Sequence, residues 1–351
     1  MNFLEEVREG QKGRYKGLST GHKRWDLFCN GVQKKTYYGV GGAQKSGKTA
    51  FVDDVFVLGP YLKNPKAKIN WIYFSFEIDK LEKMAKWASY FMDYKYGIYC
   101  DANYILSRGE DNKLSEEHYR LVQDIYDNEI KDLFSKIDFI EDRMNPEGIR
   151  KYLDEYARKN GNYVTNPYVV EGRTFQRRIG YTENDPELYT IIILDHASLA
   201  KKERGFSTKE NIDKISEHFV WYRNFCKFTP VILSQFNRDL GKVDRLKFSG
   251  EDLQPTAEDF KNTGSLGEDS SVLIGLFNAT SYPHLDKHKG YDLTKIGKSY
   301  RTAHILASRN TESGVFVPFV LEGKTGRFLE LPRSTDSENL KKVYEYVSKF
   351  D

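Results

Sequence analysis

The residues best equipped for chemistry are Lys48 and Thr49. They close the stretch Gly42-Ala43-Gln44-Lys45-Ser46-Gly47-Lys48-Thr49, which fits G-x-x-x-x-G-K-[ST]. In such a loop the backbone N–H groups and the following helix N-terminus wrap the β-phosphate of a nucleoside triphosphate. Lys48 would reach the β- and γ-phosphates, and the Thr49 hydroxyl would ligate Mg²⁺. The competing reading is a glycine-rich turn with a surface lysine. The flanks favour the phosphate loop, because the motif needs a strand before it and a helix after it. Thr36, Tyr37, Tyr38 and Val40 predict a short buried strand. Ala50-Phe51-Val52 and Val55-Phe56-Val57-Leu58 predict a helix.

Three further polar residues end apolar runs. Ile191-Ile192-Ile193-Leu194 stops at Asp195, the pattern of an acid holding Mg²⁺ through water. Asn70 to Phe76 stops at Glu77, whose carboxylate could polarise a water attacking the γ-phosphate. Pro230-Val231-Ile232-Leu233 stops at Ser234-Gln235, and Gln235 could sense the γ-phosphate. Each has a plainer alternative: a strand-ending acid, a helix-start acid or a polar strand end.

The elements that must position these residues alternate. Helices are expected over Leu81–Met92, from Asn145-Pro146-Glu147 onward, and over Asn211–Cys226. Strands are expected at Ile137–Ile140 and Ser271–Phe277. Buried strands alternating with helices imply a parallel sheet covered on both faces. Ligands of such sheets sit at the carboxyl ends of the strands, so Glu77, Asp195 and Gln235 should converge beside the phosphate loop. Ala303–Ser308 and Val315–Leu321 predict an antiparallel hairpin, with Pro318 marking the second arm as an edge strand. A terminal helix is expected over residues 336–350. Residues 2–9 form an amphipathic helix with Asn2 as cap and Phe3, Leu4 and Val7 on one face. A helix this short must dock on its own domain or on a neighbouring subunit.

The chain has 351 residues, 39% hydrophobic and 30% charged, with a net charge of +3. That charge is too mild to argue for a nucleic-acid partner, so any such site must be a local patch. No apolar run reaches the ~20 residues of a membrane span, and the acidic N-terminus lacks a signal-peptide core. Cys29, Cys100 and Cys226 have no metal-ligand spacing and suit reduced core thiols in a cytoplasmic protein. The histidines form no ligand cluster.

Taken together, these segments resemble the RecA-fold motor domain of the DnaB-like hexameric replicative helicases. The resemblance rests on Gly17-Leu18-Ser19-Thr20-Gly21, the phosphate loop, Phe74-Ser75-Phe76-Glu77 and Ile192-Ile193-Leu194-Asp195. It continues through Pro230 to Arg238, whose Ser-Gln-x-Asn-Arg stretch is the most specific part, then Lys261-Asn262-Thr263-Gly264-Ser265 with Glu268-Asp269, and Ser308-Arg309-Asn310.

The resemblance implies an α/β, RecA-like P-loop NTPase with a mainly parallel central sheet flanked by helices and a C-terminal β-hairpin. A linker helix at residues 1–16 would precede a motor domain at 17–335, followed by a helix at 336–351. It implies ATP and Mg²⁺ as cofactors, with Glu77 as catalytic base and Gln235 as γ-phosphate sensor. It also implies a homo-oligomeric ring, hexameric in the family's manner, with ATP held between subunits. Arg309 would be the finger reaching a neighbour's γ-phosphate. The family often has a lysine two residues earlier, where this chain has Ala307.

Single-stranded DNA would meet two loops, one with Lys201, Lys202 and Arg204, the other with Arg238, Lys242, Arg245, Lys247, Lys261, Asn262 and Gly264. The alternative for these basic residues is a solvated surface loop. A primase or a helicase loader is a further expected partner; no membrane is. Three departures from the family pattern are expected: a motor without the helical N-terminal collar domain, an extra stretch at about 161–189 resembling an inserted hairpin, and His196 where a tyrosine is common. Two other functions fit the phosphate loop: a RecA-like recombinase or mediator forming filaments, and a low-turnover nucleotide-gated scaffold.

Overall fold

The alternating apolar runs fold into one nine-stranded sheet. The computed structural model describes residues 3–13, 15–109, 112–237, 250–260, 265–282, 284–309 and 311–348. Two short helices, α1 (Phe3–Gln11) and α2 (Lys23–Cys29), lead into β1 (Tyr38–Gly42). After the phosphate loop come α3 (Lys48–Val52), a wider π-helical turn over Asp53–Leu58, and α4 (Gly59–Lys63). Next are β2 (Ile69–Ser75), α5 (Lys80–Tyr96), α6 (Ala102–Ile105), α7 (Glu116–Ile125), α8 (Lys131–Ser135), β3 (Ile137–Ile140) and α9 (Pro146–Asn160). The hairpin β4 (Gly161–Val170) and β5 (Arg173–Glu183) precedes β6 (Tyr189–Asp195), α10 (Thr208–Cys226), β7 (Thr229–Gln235) and β8 (Val272–Phe277). A two-stranded ribbon, β9 (Lys287–His288) and β10 (Tyr291–Asp292), leads to β11 (Tyr300–Ser308), β12 (Phe316–Leu321), β13 (Phe328–Glu330) and a last helix, Ser337–Val347.

The sheet order is β13-β12-β11-β8-β1-β7-β6-β2-β3. From β8 to β3 all neighbours are parallel; β11, β12 and β13 are antiparallel. Strand alternation sends neighbouring residues to opposite faces. Trp71, Tyr73 and Ile193 pack with Phe51, Phe56 and Trp87 on one face. Ile72, Phe74 and Ile192 pack with Leu153 and Phe219 on the other. Each such side chain contributes about 2–3 kcal/mol by burial, and together they hold the strand ends in register. Asn145 caps α9 through a bond from Gly148 N–H, with Pro146 in the first turn. Ser207 and Glu210 form a capping box at α10.

Pro318 does not mark an edge. β12 pairs with β11 on one side and β13 on the other. β13 stops at Glu330, opposite Phe319, and Leu331 N–H donates to the Pro318 carbonyl. The missing N–H therefore falls where the ladder ends. On α1, Phe3, Leu4 and Val7 are exposed by 79%, 68% and 44%, so this chain does not cover them. Asn2 lies outside the described residues. Among those described, no helix is long and apolar enough to cross a membrane.

Candidate active site

β1 delivers the chain to the loop at Gly42, and α3 starts at Lys48. Between them Lys45 and Gly47 take left-handed backbone conformations, φ 60° and 94°. At Gly47 a Cβ would also come within 2.7 Å of Leu321 Cδ2, so glycine is required there twice over. Lys48 Nζ donates to the Gly42 and Ala43 carbonyls at 3.0 and 2.9 Å. Burial lowers the Lys48 pKa, while the nearby Asp195 and Glu77 carboxylates oppose that shift. From beneath, the buried Arg301 donates its Nε–H to the Ser46 carbonyl at 2.9 Å, fixing the loop to β11. Burial brings Arg301 down to about 10, so it stays cationic at neutral pH.

Strand register gathers the remaining candidates. Ser75 pairs with Asp195 and Gly42 with Gln235, so β2, β6, β1 and β7 all end at one edge. Phe76 N–H donates to the Asp195 carbonyl at 3.0 Å, which sets Glu77 beside the Asp195 strand end. Lys48, Thr49, Glu77, Asp195 and Gln235 line one cleft of about 670 Å³, together with Gln44, Lys45, Gly47 and Ala50. Glu77 and Gln235 are exposed and Asp195 is buried.

This edge fits a Mg²⁺-nucleotide. Thr49 and Asp195 offer hard oxygen donors, the loop offers N–H groups, and Ser46 Oγ is buried with no hydrogen-bond partner among the described residues. Those residues contain no group of three or more His, Cys, Asp or Glu able to hold a metal. A Mg²⁺ here would complete its shell with phosphate oxygens and water.

Burial pushes the Asp195 carboxyl up to about 6. Asp53 and Glu77 push the same way; Lys83 and a Thr49 hydrogen bond oppose them. Lys83 was not evident from the sequence. It is fully buried and donates to Asp53 Oδ2 at 2.9 Å and Tyr73 OH at 2.9 Å, while Trp87 Nε1 donates to Asp53 at 3.1 Å. The far wall of the cleft, with Tyr90, Asn103, Arg108 and Lys324, was equally unforeseen.

An aspartate whose folded pKa is raised takes up a proton on folding. Its penalty is absent below the unfolded pKa and grows as pH rises to the folded one. A rise from 3.8 to about 6 is worth about 3 kcal/mol at neutral pH. Asp195→Asn should therefore equal the parent in stability near pH 4 and exceed it by about 3 kcal/mol at pH 7 without Mg²⁺. Denaturant unfolding across that pH range checks this, and parallel curves would contradict it.

No protein-family model matches the chain, and no curated protein matches it. Among solved structures, one ATPase domain superposes with a TM-score of 0.66 at 17% identity, over 94% of this chain and 97% of that one. A DnaB-like replicative helicase, in a structure that also concerns its interactions with primase, gives 0.64 at 15% identity, over 93% of this chain and 67% of that one. The chain has the RecA-like fold of a DnaB-like helicase ATPase domain. At these identities the likeness concerns the fold.

Within that DnaB-like fold, Arg309 stands apart from the cleft. Tyr38, at the start of β1, pairs with Val272, and Val272 pairs with Ser308. Arg309 thus lies at the sheet edge opposite the phosphate loop, exposed, donating to the Glu268 carbonyl at 2.6 Å. Lys201, Lys202 and Arg204 lie on the loop after β6, with both lysines and the arginine facing solvent. Lys201 N–H donates to the Met144 carbonyl and the Lys201 carbonyl accepts from Asn211 Nδ2, so the backbone there is tied down. Arg238, Lys242, Arg245, Lys247, Lys261, Asn262, Gly264 and Asn310 lie outside the described residues.

Proposed function

We propose that this chain is the motor of a ring-forming, ATP-driven DNA helicase, translocating on single-stranded DNA during replication and hydrolysing ATP at subunit interfaces. The observation that carries the proposal is the separation just described. The phosphate loop and the acids share one sheet edge, and Arg309 sits at the other. A site needing both is complete only when a second copy supplies the arginine. The exposed apolar residues of α1 supply surface for such a neighbour.

In this reading Lys48 and the loop N–H groups bind the β- and γ-phosphates, and Thr49 and Asp195 hold Mg²⁺. The bound ion would draw charge from the phosphate oxygens. Glu77 orients the attacking water and takes its proton. Gln235 contacts the γ-phosphate and passes its state to the chain that follows β7. Arg309 of one subunit neutralises the charge developing on its neighbour's nucleotide. The basic residues after β6 hold DNA phosphates without reading sequence. A hexameric ring, and a primase or loader as partner, belong to the same proposal.

Steady-state ATP turnover with and without a long single strand, at low and moderate salt, tests it. Strong stimulation by DNA that fades with salt is expected. Turnover indifferent to DNA at both salts would overturn the translocase and leave a nucleotide-gated switch.

A further inference from the structure

The hairpin β4–β5 serves neither the cleft nor the sheet. It leaves the end of α9 and returns to the start of β6, at the edge opposite the phosphate loop. Its root is anchored. Tyr163 OH and Arg178 both bond Asp154 of α9, Arg178 lies 4.0 Å from the Tyr163 ring centroid, and Tyr181 OH donates to the Ala157 carbonyl. Beyond the root the ladder stands free: residues 165 to 177 are all exposed. Glu171 and Gly172 turn it with φ 50° and 75°, the paired positive values of a two-residue hairpin turn. The arm is thus a hydrogen-bonded ladder held out from the body.

One face of that arm has a specific composition. Directly paired residues share a face, and Val170 opposes Arg173, Tyr168 opposes Phe175, and Asn166 opposes Arg177. Tyr168 and Phe175 stack with ring centroids 5.7 Å apart. Arginines therefore flank an exposed aromatic pair on both sides, spanning about 13 Å along β5. Arg178 at the root is paired with Asp154, whereas Arg173 and Arg177 have no hydrogen-bond or ion-pair partner among the described residues. No carboxylate shares these three rungs; Glu171 lies at the turn.

From this the geometry points to a single-stranded polynucleotide as the ligand of the arm, with a base stacked on Tyr168 and Phe175 and phosphates held by Arg173 and Arg177. Exposed aromatics accept unstacked bases of any sequence, and unpaired guanidiniums on either side of them match a polyanion. A duplex, with its bases already stacked, cannot use the aromatic pair. This contact is additional to the loop after β6, which lies at the other sheet edge, and does not depend on ATP-driven movement.

Fluorescence anisotropy of the full chain with labelled oligothymidylate, oligouridylate and a blunt duplex, over a salt series, tests the inference. The double variant Arg173→Glu/Arg177→Glu should weaken single-strand binding at least tenfold and lower the salt slope by about 1.4, two phosphate contacts at roughly 0.7 each. Phe175→Ala should weaken it about tenfold with the slope unchanged. All altered side chains are exposed, and far-ultraviolet circular dichroism verifies the fold. The two oligomers distinguish DNA from RNA as the source. Parental affinity and slope in both variants would overturn the inference and leave the arm to a protein partner. A loss confined to Lys201→Glu/Lys202→Glu would overturn it while sparing the motor reading. Loss in the hairpin variants, with parental turnover indifferent to DNA, would sustain the arm and sink the motor.

Discussion

Lys48→Ala is expected to lower ATP turnover by about three orders of magnitude, the upper range for removing one preorganised charge from a reacting centre. The side chain stands over the Gly42 and Ala43 carbonyls at 3.0 and 2.9 Å, within the cleft shared by Thr49, Glu77, Asp195 and Gln235. Its ammonium is partly desolvated, so its charge acts in a medium less screening than water. Burial lowers its pKa, and the Asp195 and Glu77 carboxylates oppose that shift. Arg301 secures the loop independently through the Ser46 carbonyl, and the buried Asp53–Lys83 pair secures the helical turn behind it. The variant should therefore fold like the parent, and the loss should appear in turnover rather than in melting temperature. A coupled phosphate-release assay beside a thermal melt checks both. Turnover above a tenth of parental in the folded variant would remove Lys48 from the reacting centre.

How far the site was legible depends on how each residue announces itself. Asp195, Glu77 and Gln235 could be read because each stops an apolar run, and parallel strands must end on a common edge. The phosphate loop was legible because its glycines answer a local backbone demand, seen at Gly47 with φ 94°. Asp53, Lys83 and Arg301 were not. Lys83 lies thirty residues from Asp53, and Arg301 lies 255 from the Ser46 carbonyl it holds. Their partners are chosen by sheet order, and a charged residue in a helix pattern reads as solvent-facing until the fold closes over it. Pro318 misled for a related reason. A proline reports a missing donor, but only the length of β13 tells whether that gap falls inside a ladder or at its end. The helical segment running from α7 to α8 escaped because its buried stripe is thin, with Ile125, Ile130 and Leu133 enclosed amid charged residues.

Arg309 tests a different kind of inference, one in which sheet topology limits where chemistry can occur. β1 runs from Tyr38 toward the phosphate loop, and Ser308 stands at the Tyr38 end through Val272. A guanidinium there stands away from its own cleft; in the proposed ring it would serve the next one. Arg309→Ala should leave nucleotide binding near parental and lower turnover about a thousandfold, the lower range for an arginine supplied to a phosphoryl transfer. Ala307 provides no second cation to compensate. Mixing makes the trans geometry measurable. Subunits carrying Lys48→Ala retain Arg309, and subunits carrying Arg309→Ala retain an intact cleft. In an equal mixture about a quarter of interfaces pair an intact cleft with an intact arginine, so turnover should rise above that of either variant alone. A cis arginine would give no such rise, because no subunit in the mixture has both groups. Parental turnover in an assembled Arg309→Ala ring would overturn the assignment outright, since the edge opposite the phosphate loop would then be supplying nothing to the reaction.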